Sequence, residues 1–320
     1  MQNSKSPNPD VGAQIASHKR HSKLPWQTPK SVEDDPNTTS KMDAILNSPT
    51  YRQADQDPDF LVRDDTRGLR LHLDYLKAEY GLADNRITQT IVVFGSTRIP
   101  ERATALRQVE VARTRLAAKP EDLELQRELS IAERILAKSK YYDIARDFGR
   151  LVGEAEVGPA GRLVAMTGGG PGIMEAVNRG ADDVGARSVG LNITLPHEQY
   201  PNPYITPDLC FRFHYFGLRK MHFLRRARAL VVFPGGYGTM DELFETLTLL
   251  QTEKIEPLPV ILVGEDYWRR AFDPDFLVDE GVIAPEDRDL FCFAESADEI
   301  WGAIRLWHQA AGRPITCEDA

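Results

Sequence analysis

The chain has 320 residues, 42% hydrophobic and 8% aromatic, enough for one large folded domain or two small ones. A net charge of −9 argues against a general nucleic-acid binder, which carries a basic excess, yet leaves room for a local basic pocket. Cys210, Cys292 and Cys317 are scattered, without a CxxC pair or a zinc-like His/Cys cluster, and no run is long and apolar enough to span a membrane. A soluble cytoplasmic protein without a metal site is the expectation.

Residues 1 to 45 are rich in Ser, Pro, Asn, Lys and Asp and are expected to stay disordered, since they cannot bury enough surface to offset ordering entropy. No apolar segment there marks a secretory signal. From residue 46 to 320 a single domain is expected. The stretch from Phe60, with Leu61, Leu69, Leu71, Leu73 and Leu76 among charges, predicts an amphipathic helix packed on that domain.

"TQTIVVFGSTR" (88–98) reads as a buried parallel strand. Residues 101–140 are charged and rich in Ala and Leu, with Pro120 in the middle. They predict an inserted pair of helices hinged at "KPED", with Asp122 in the first turn of the second. A solvated hairpin without chemistry is the plainer reading and an oligomer contact the alternative.

Beyond the insertion, "YYDIARDFGRLVGEA" is a helix, and "GRLVAMTGGGPGIMEAVNRGADDVG" reads strand, glycine turn, helix. "RSVGLNITLP" and "LCFRF" are strands, and "HYFGLRKMHFLRRAR" is a helix with a cationic side. The strand "ALVVFP", the helix "GTMDELFETLTLLQTEKI" and the strand "LPVILVG" follow. The helix "SADEIWGAIRLWHQAA" closes the fold. Unbroken apolar strands alternating with helices predict an α/β protein: a doubly wound parallel sheet, Rossmann-like, with a helical insertion and an N-terminal extension.

In such sheets ligands bind beyond the carboxyl ends of the strands. Strand ends here carry "GSTR" (95–98), "TGGGPGIME" (167–175) and "PGGYGTMDE" (234–242). Glycines let backbone N–H groups approach a phosphate, and a following helix N-terminus adds partial positive charge. Thr239 adds a hydroxyl donor. The bland alternative is that strand-to-helix turns need glycine anyway. Two such turns near Arg219 and Lys220 favour an anion site. "TGGGPG" lacks the ribose-binding acid of a dinucleotide fingerprint and the GK[ST] of a P-loop. Glu242 either caps its helix, as its neighbour Asp241 could, or faces the cleft. His214 and His222 are read as packing or surface residues. The aromatic set Phe211, Phe213, Tyr215, Phe216 and Phe223 is core or walls a base pocket.

The motif PGGxGTxxE (Pro234–Glu242), the upstream Arg219-Lys220 pair and the GGGxxGxME turn (Gly168–Glu175) together resemble the LONELY GUY family. "LNITLPHEQYPNPYITPDLCFRFHYFGLRK" is similar to its longer bacterial branch. The resemblance covers about Gln89 to Leu262, less the insertion. Many members read "MHERK" before the PGG strand, whereas here "YFGLRK" supplies the Arg-Lys pair. The resemblance implies hydrolysis of the N-glycosidic bond of a nucleoside 5'-monophosphate, AMP or a cytokinin riboside 5'-monophosphate, without a cofactor. It implies Glu242 and Arg219 as catalytic residues. It further implies substrate contacts from Glu198, Lys220, Thr248 and Gly235, and from the phosphate-holding loop Gly236, Tyr237, Gly238 and Thr239. The other strand-end residues, Gly95, Ser96, Gly168, Gly169, Gly170, Gly172 and Met174, are expected around the same ligand. A small nucleotide is the expected partner, with neither nucleic acid nor membrane, in at least a homodimer. Two competing readings are a non-catalytic nucleotide or cofactor carrier on the same fold and a lysine decarboxylase. The latter would need a pyridoxal-bearing lysine, and Lys220 is the lysine near these motifs.

Overall fold

The computed structural model describes residues 22–155, 162–196 and 200–315. The chain divides after Arg67 into two compact units. The first contains the helices α1 (Thr38–Leu46) and α2 (Pro58–Leu61) and several 3-10 turns. Residues 38–45, expected to lack structure, are therefore helical. Asn47 ends α1 by donating from its side chain to the Asp43 carbonyl at 2.7 Å, and Asp57 caps α2 by accepting from the Phe60 amide at 3.3 Å.

The second unit begins with α3 (Arg67–Asp84) and β1 (Ile87–Phe94). The inserted helices α4 (Arg102–Ala118) and α5 (Leu123–Lys138) follow, then α6 (Lys140–Glu154), β2 (Arg162–Thr167), α7 (Ile173–Asp183), β3 (Ser188–Ile193) and β4 (Cys210–Phe213). The chain continues through α8 (Phe216–Arg225), β5 (Ala227–Val232), α9 (Tyr237–Gln251), β6 (Val260–Val263), α10 (Glu265–Ala271), α11 (Pro274–Asp279), β7 (Cys292–Ala294) and α12 (Ala297–Ala310).

The strands form one seven-stranded sheet in the order β4-β3-β2-β1-β5-β6-β7, with every neighbouring pair parallel. Period-two alternation divides the core between its faces. Ile91, Val93, Ala165, Val231 and Ile261 point to the side covered by α6, α7 and α12. Val92, Phe94, Met166, Leu230 and Leu262 point to the side covered by α3, α8, α9 and α10. The chain winds outward from β1 to β4, then returns to β1's other side with β5. The β1/β5 boundary is therefore the topological switch point, where loops diverge and leave a crevice.

Some local expectations are revised. In α3 the inward residues are Ala78 and Leu82, whereas Leu69, Leu71 and Leu73 are exposed. The helix also starts at Arg67 rather than near Phe60, because α2 and a 3-10 turn at Asp64–Thr66 precede it. The inserted helices form as read, with Asp122 as the N-cap of α5, accepting from the Glu124 and Leu125 amides. α4 buries Ala105, Val109 and Ala112, and α5 buries no residue. Strand β7 has only three residues and left no readable alternation.

Candidate active site

Three loops are stitched together beyond the ends of β1, β2 and β5. The Ser96 amide donates to the Pro234 carbonyl at 3.0 Å, the Phe233 amide to the Phe94 carbonyl at 2.9 Å, and the Ile173 amide to the Ser96 carbonyl at 3.2 Å. Between them opens a cleft of about 520 Å³, lined by Gly95 to Arg98, Met174, Phe216, Arg219 and the first turns of α9. A larger groove of about 800 Å³ lies along α8 between Tyr75 and Leu258. The smaller cleft is the candidate site because it sits at the switch point and collects the strand-end motifs.

The β5–α9 turn is built open. Gly236 is the N-cap of α9 and offers no side-chain cap, and the first turn holds no acid. The positive end of the helix therefore faces the cleft unneutralised. A Cβ on Gly236 or Gly238 would meet nothing within 4 Å, so bare backbone is presented to a ligand. Gly235 is different. Its carbonyl accepts from the Tyr267 hydroxyl at 2.5 Å, and a Cβ there would strike Thr239. It shapes the turn instead of lining the cleft.

The β2–α7 turn is built closed. Gly168, Gly169, Gly170 and Gly172 are buried and absent from the cleft wall. The Gly169 amide donates to Thr167 Oγ1 at 3.0 Å. The Asn202 amide donates to the Gly169 carbonyl at 2.9 Å, and Asn202 Nδ2 donates to the Gly170 carbonyl at 3.1 Å. Gly172 has φ +73°, and a Cβ there would collide with the Ser96 carbonyl oxygen. From this motif, Met174 reaches the cleft. Glu175, in the first turn of α7, accepts from the Tyr142 hydroxyl at 2.8 Å.

Glu242 lies beyond the first turn of α9 and does not cap it. It is 7% exposed and lines the cleft. Burial pushes its carboxyl up to about 7, with Lys220 and Arg219 pulling the other way. Arg219 lines the same cleft, its guanidinium carbon 5.2 Å from the Phe223 ring centre and its buried Nε without a hydrogen-bond partner among the described residues. Burial lowers its pKa, and the charge of Glu242 opposes that. The cleft floor thus pairs a carboxyl poised near neutrality with a cation whose donors are not all engaged.

Lys220 stands behind this pair, outside the cleft lining. Its ammonium bridges Asp241 at 2.8 Å and Glu245 at 3.0 Å. Burial pulls its pKa down, but these carboxylates outweigh that and hold the ammonium above its ordinary value. Such a lysine is poorly suited to imine formation, which needs a neutral amine.

Helix α3 positions α8, which carries Arg219. Asp74 accepts from the His214 amide at 3.0 Å and the Tyr215 amide at 3.0 Å, acting as a borrowed cap. Glu79 takes Arg226 in a two-pronged pair at 2.8 and 3.0 Å. His222 is fully buried, with Nε2 3.1 Å from the Tyr75 carbonyl. It is a packing residue, as read from the sequence. Phe211, Phe213 and Phe223 are core, while Phe216 is half exposed and walls the cleft.

The cleft therefore unites Gly95, Ser96, Met174, Arg219, Gly236, Tyr237, Gly238, Thr239 and Glu242. Thr248 is exposed, donates to the Phe244 carbonyl at 2.7 Å, and lies away from it. Glu198 falls outside the described residues. Thr97 and Arg98 also line the cleft and were not singled out beforehand, and Asp241, read from the sequence as a possible cap, lines it as well. Arg98 closes the "GSTR" tetrapeptide already marked as a strand end, which was the available signal. Among the described residues, no group of three or more His, Cys, Asp or Glu is placed to hold a metal, and no helix is long and apolar enough to cross a membrane.

A family model described as "Possible lysine decarboxylase" matches residues 174–304, a span that includes Arg219 and Glu242. The chain is 31% identical over 170 residues to cytokinin riboside 5'-monophosphate phosphoribohydrolase LOG of Oryza sativa subsp. japonica, an alignment covering 51% of this chain and 65% of the rice protein. It is 28% identical over 167 residues to the LOG3 phosphoribohydrolase of Arabidopsis thaliana, covering 51% of this chain and 74% of that protein. Among solved structures, the molybdenum cofactor binding protein of Rippkaea orientalis matches with 19% identity and a TM-score of 0.37, over 52% of this chain and 87% of that one. That likeness is too distant to bear on the site. The family model and these alignments place the likeness to phosphoribohydrolases in the motif-bearing half of the chain, across both α8 and α9, and the chain spans 65% of the length of the rice relative.

Proposed function

We propose that the cleft hydrolyses a nucleoside 5'-monophosphate to free base and ribose 5-phosphate. The observation that carries this reading is Glu242: a buried carboxyl without a hydrogen-bond partner among the described residues, pushed up to about 7, in the same cleft as the uncapped start of α9. The 5'-phosphate sits against the backbone N–H groups of Tyr237 and Gly238 and the Thr239 hydroxyl, where the helix charge favours an anion. The phosphate thereby places the ribose deeper, beside Glu242 and Arg219.

Cleavage of the C1'–N bond sends its electron pair to the base nitrogen and leaves an oxocarbenium-like centre. Ionised Glu242 stabilises that cation and takes a proton from the water whose oxygen bonds to C1'. The departing base gains a proton from solvent, and Glu242 returns its own to solvent. Arg219 steadies the ribose-phosphate and favours ionisation of Glu242. Because the ionised form does the work, turnover rises with pH through a midpoint near 7.

The rice and Arabidopsis relatives are named for cytokinin riboside 5'-monophosphate. That compound and AMP share the phosphoribosyl part that this cleft reads, and both are proposed substrates. The reading extends to a cytoplasmic homodimer, to be checked by sedimentation and by fractionation of cells. The decisive experiment incubates the protein and its Glu242→Gln variant with nucleoside 5'-monophosphates and the matching nucleosides, and separates free base by chromatography. Base from monophosphates alone, lost in the variant by about 100-fold or more, supports the reading. Tight nucleotide binding without release would make the chain a carrier.

A further inference from the structure

We propose that Arg98 is the residue that makes the cleft demand a phosphomonoester, gripping the phosphate together with the start of α9. The inference rests on the cleft being the nucleotide site and names the side chain that sets its selectivity for charge.

Arg98 lines the cleft together with Gly236, Tyr237, Gly238 and Thr239. It is exposed, and among the described residues its guanidinium meets no carboxylate. The carboxylates that line the cleft are otherwise accounted for. Asp241 is held by Lys220 at 2.8 Å, and Glu242 is buried with Arg219. That leaves a planar guanidinium fork exposed in the same cleft as an uncapped helix start. A fork of this kind fits two oxygens of a phosphate.

The arginine is also carried on a fixed loop. The Arg98 amide donates to Ser96 Oγ at 3.1 Å. Ser96 in turn binds the Pro234 carbonyl through its amide and the Ile173 amide through its carbonyl. The backbone under Arg98 is thereby tied to the turn that begins α9, which keeps the root of the side chain near that turn. Arg219 lies in the same cleft, stacked on Phe223 beside the carboxyl. The two arginines therefore divide the work, Arg98 toward the phosphate and Arg219 toward the ribose.

The test uses the full chain with Arg98→Ala and Arg98→Lys. Ribose 5-phosphate, inorganic phosphate and ribose are titrated by calorimetry, alongside the base-release assay and a melting curve for each variant. Arg98→Ala should weaken ribose 5-phosphate binding about 10- to 100-fold, with a matching rise in KM and kcat changed by less than about two-fold. Arg98→Lys should recover part of the loss, since it restores charge without the fork. Retained binding of inorganic phosphate by the native chain, lost in Arg98→Ala, assigns the contact to the phosphate and not to the sugar. Unchanged ribose 5-phosphate affinity in a folded Arg98→Ala protein overturns the proposal, as does a native chain that binds neither phosphate compound. Arg98-dependent binding without any base release leaves this proposal standing and removes the hydrolase reading.

Discussion

The turn from β2 to α7 and the turn from β5 to α9 look alike in the sequence, each with consecutive glycines and then a glutamate in the following helix. In the folded chain they are opposites. Around Gly169 and Gly170 the backbone is bonded to Thr167 and Asn202, and Glu175 is bonded to Tyr142. Among the described residues, the space beside the backbone of Gly236 and Gly238 is empty, and Glu242 has no hydrogen-bonded partner but a pKa pushed up to about 7. The first set of glycines lets elements of the protein approach each other. The second lets something else approach the protein. Glycine content alone does not separate these uses; the partners of the peptide groups do.

The largest effect that would sharpen this contrast is expected from Gly172→Ala. Its positive φ and the collision with the Ser96 carbonyl oxygen should lower stability by about 3 kcal/mol or more, measured by urea unfolding. Next comes Glu242→Gln, with the opposite sign. The folded pKa lies above the ordinary 4.5, so the stability this carboxyl contributes is intact below pH 4.5 and is lost as pH rises toward 7. The variant should match the native chain in acid and exceed it at pH 8 by about 3 kcal/mol. A melting-temperature difference that does not vary with pH would refute the poised carboxyl. The smallest effect belongs to Gly238→Ala, where a Cβ meets open space. Stability should change by less than about 1 kcal/mol while ribose 5-phosphate binding falls, because the added methyl enters the cleft. Destabilisation equal to that of Gly172→Ala would erase the distinction between the turns.

The sheet was legible because its strands are continuous apolar runs such as "TIVVF", and a parallel sheet covered on both faces requires that. Glu242 and Arg219 were legible because short motifs fix them relative to the switch point. The closure of the first turn was not, since Asn202 arrives from a distant loop to bond it. Nor was the inward face of α3. Leu69, Leu71 and Leu73 looked like the packing stripe, but burial falls later, on Ala78 and Leu82. Thr248 could have been placed by helix phase. It follows Glu242 by six residues, about 120° around α9, whereas Thr246 lies nearly in line with Glu242, is buried, and donates to the Glu242 carbonyl.

The borrowed cap that α3 lends to α8 ties the helix that carries Arg219 to one that lies outside the cleft. Detachment of α3 would release the His214 and Tyr215 amides from Asp74 and expose both to solvent deuterium together. Matched exchange at these amides, accelerated by Asp74→Ala, would follow the undocking of α8 in real time. If the two amides exchange together, the leading helix would set how often Arg219 is presented to the cleft.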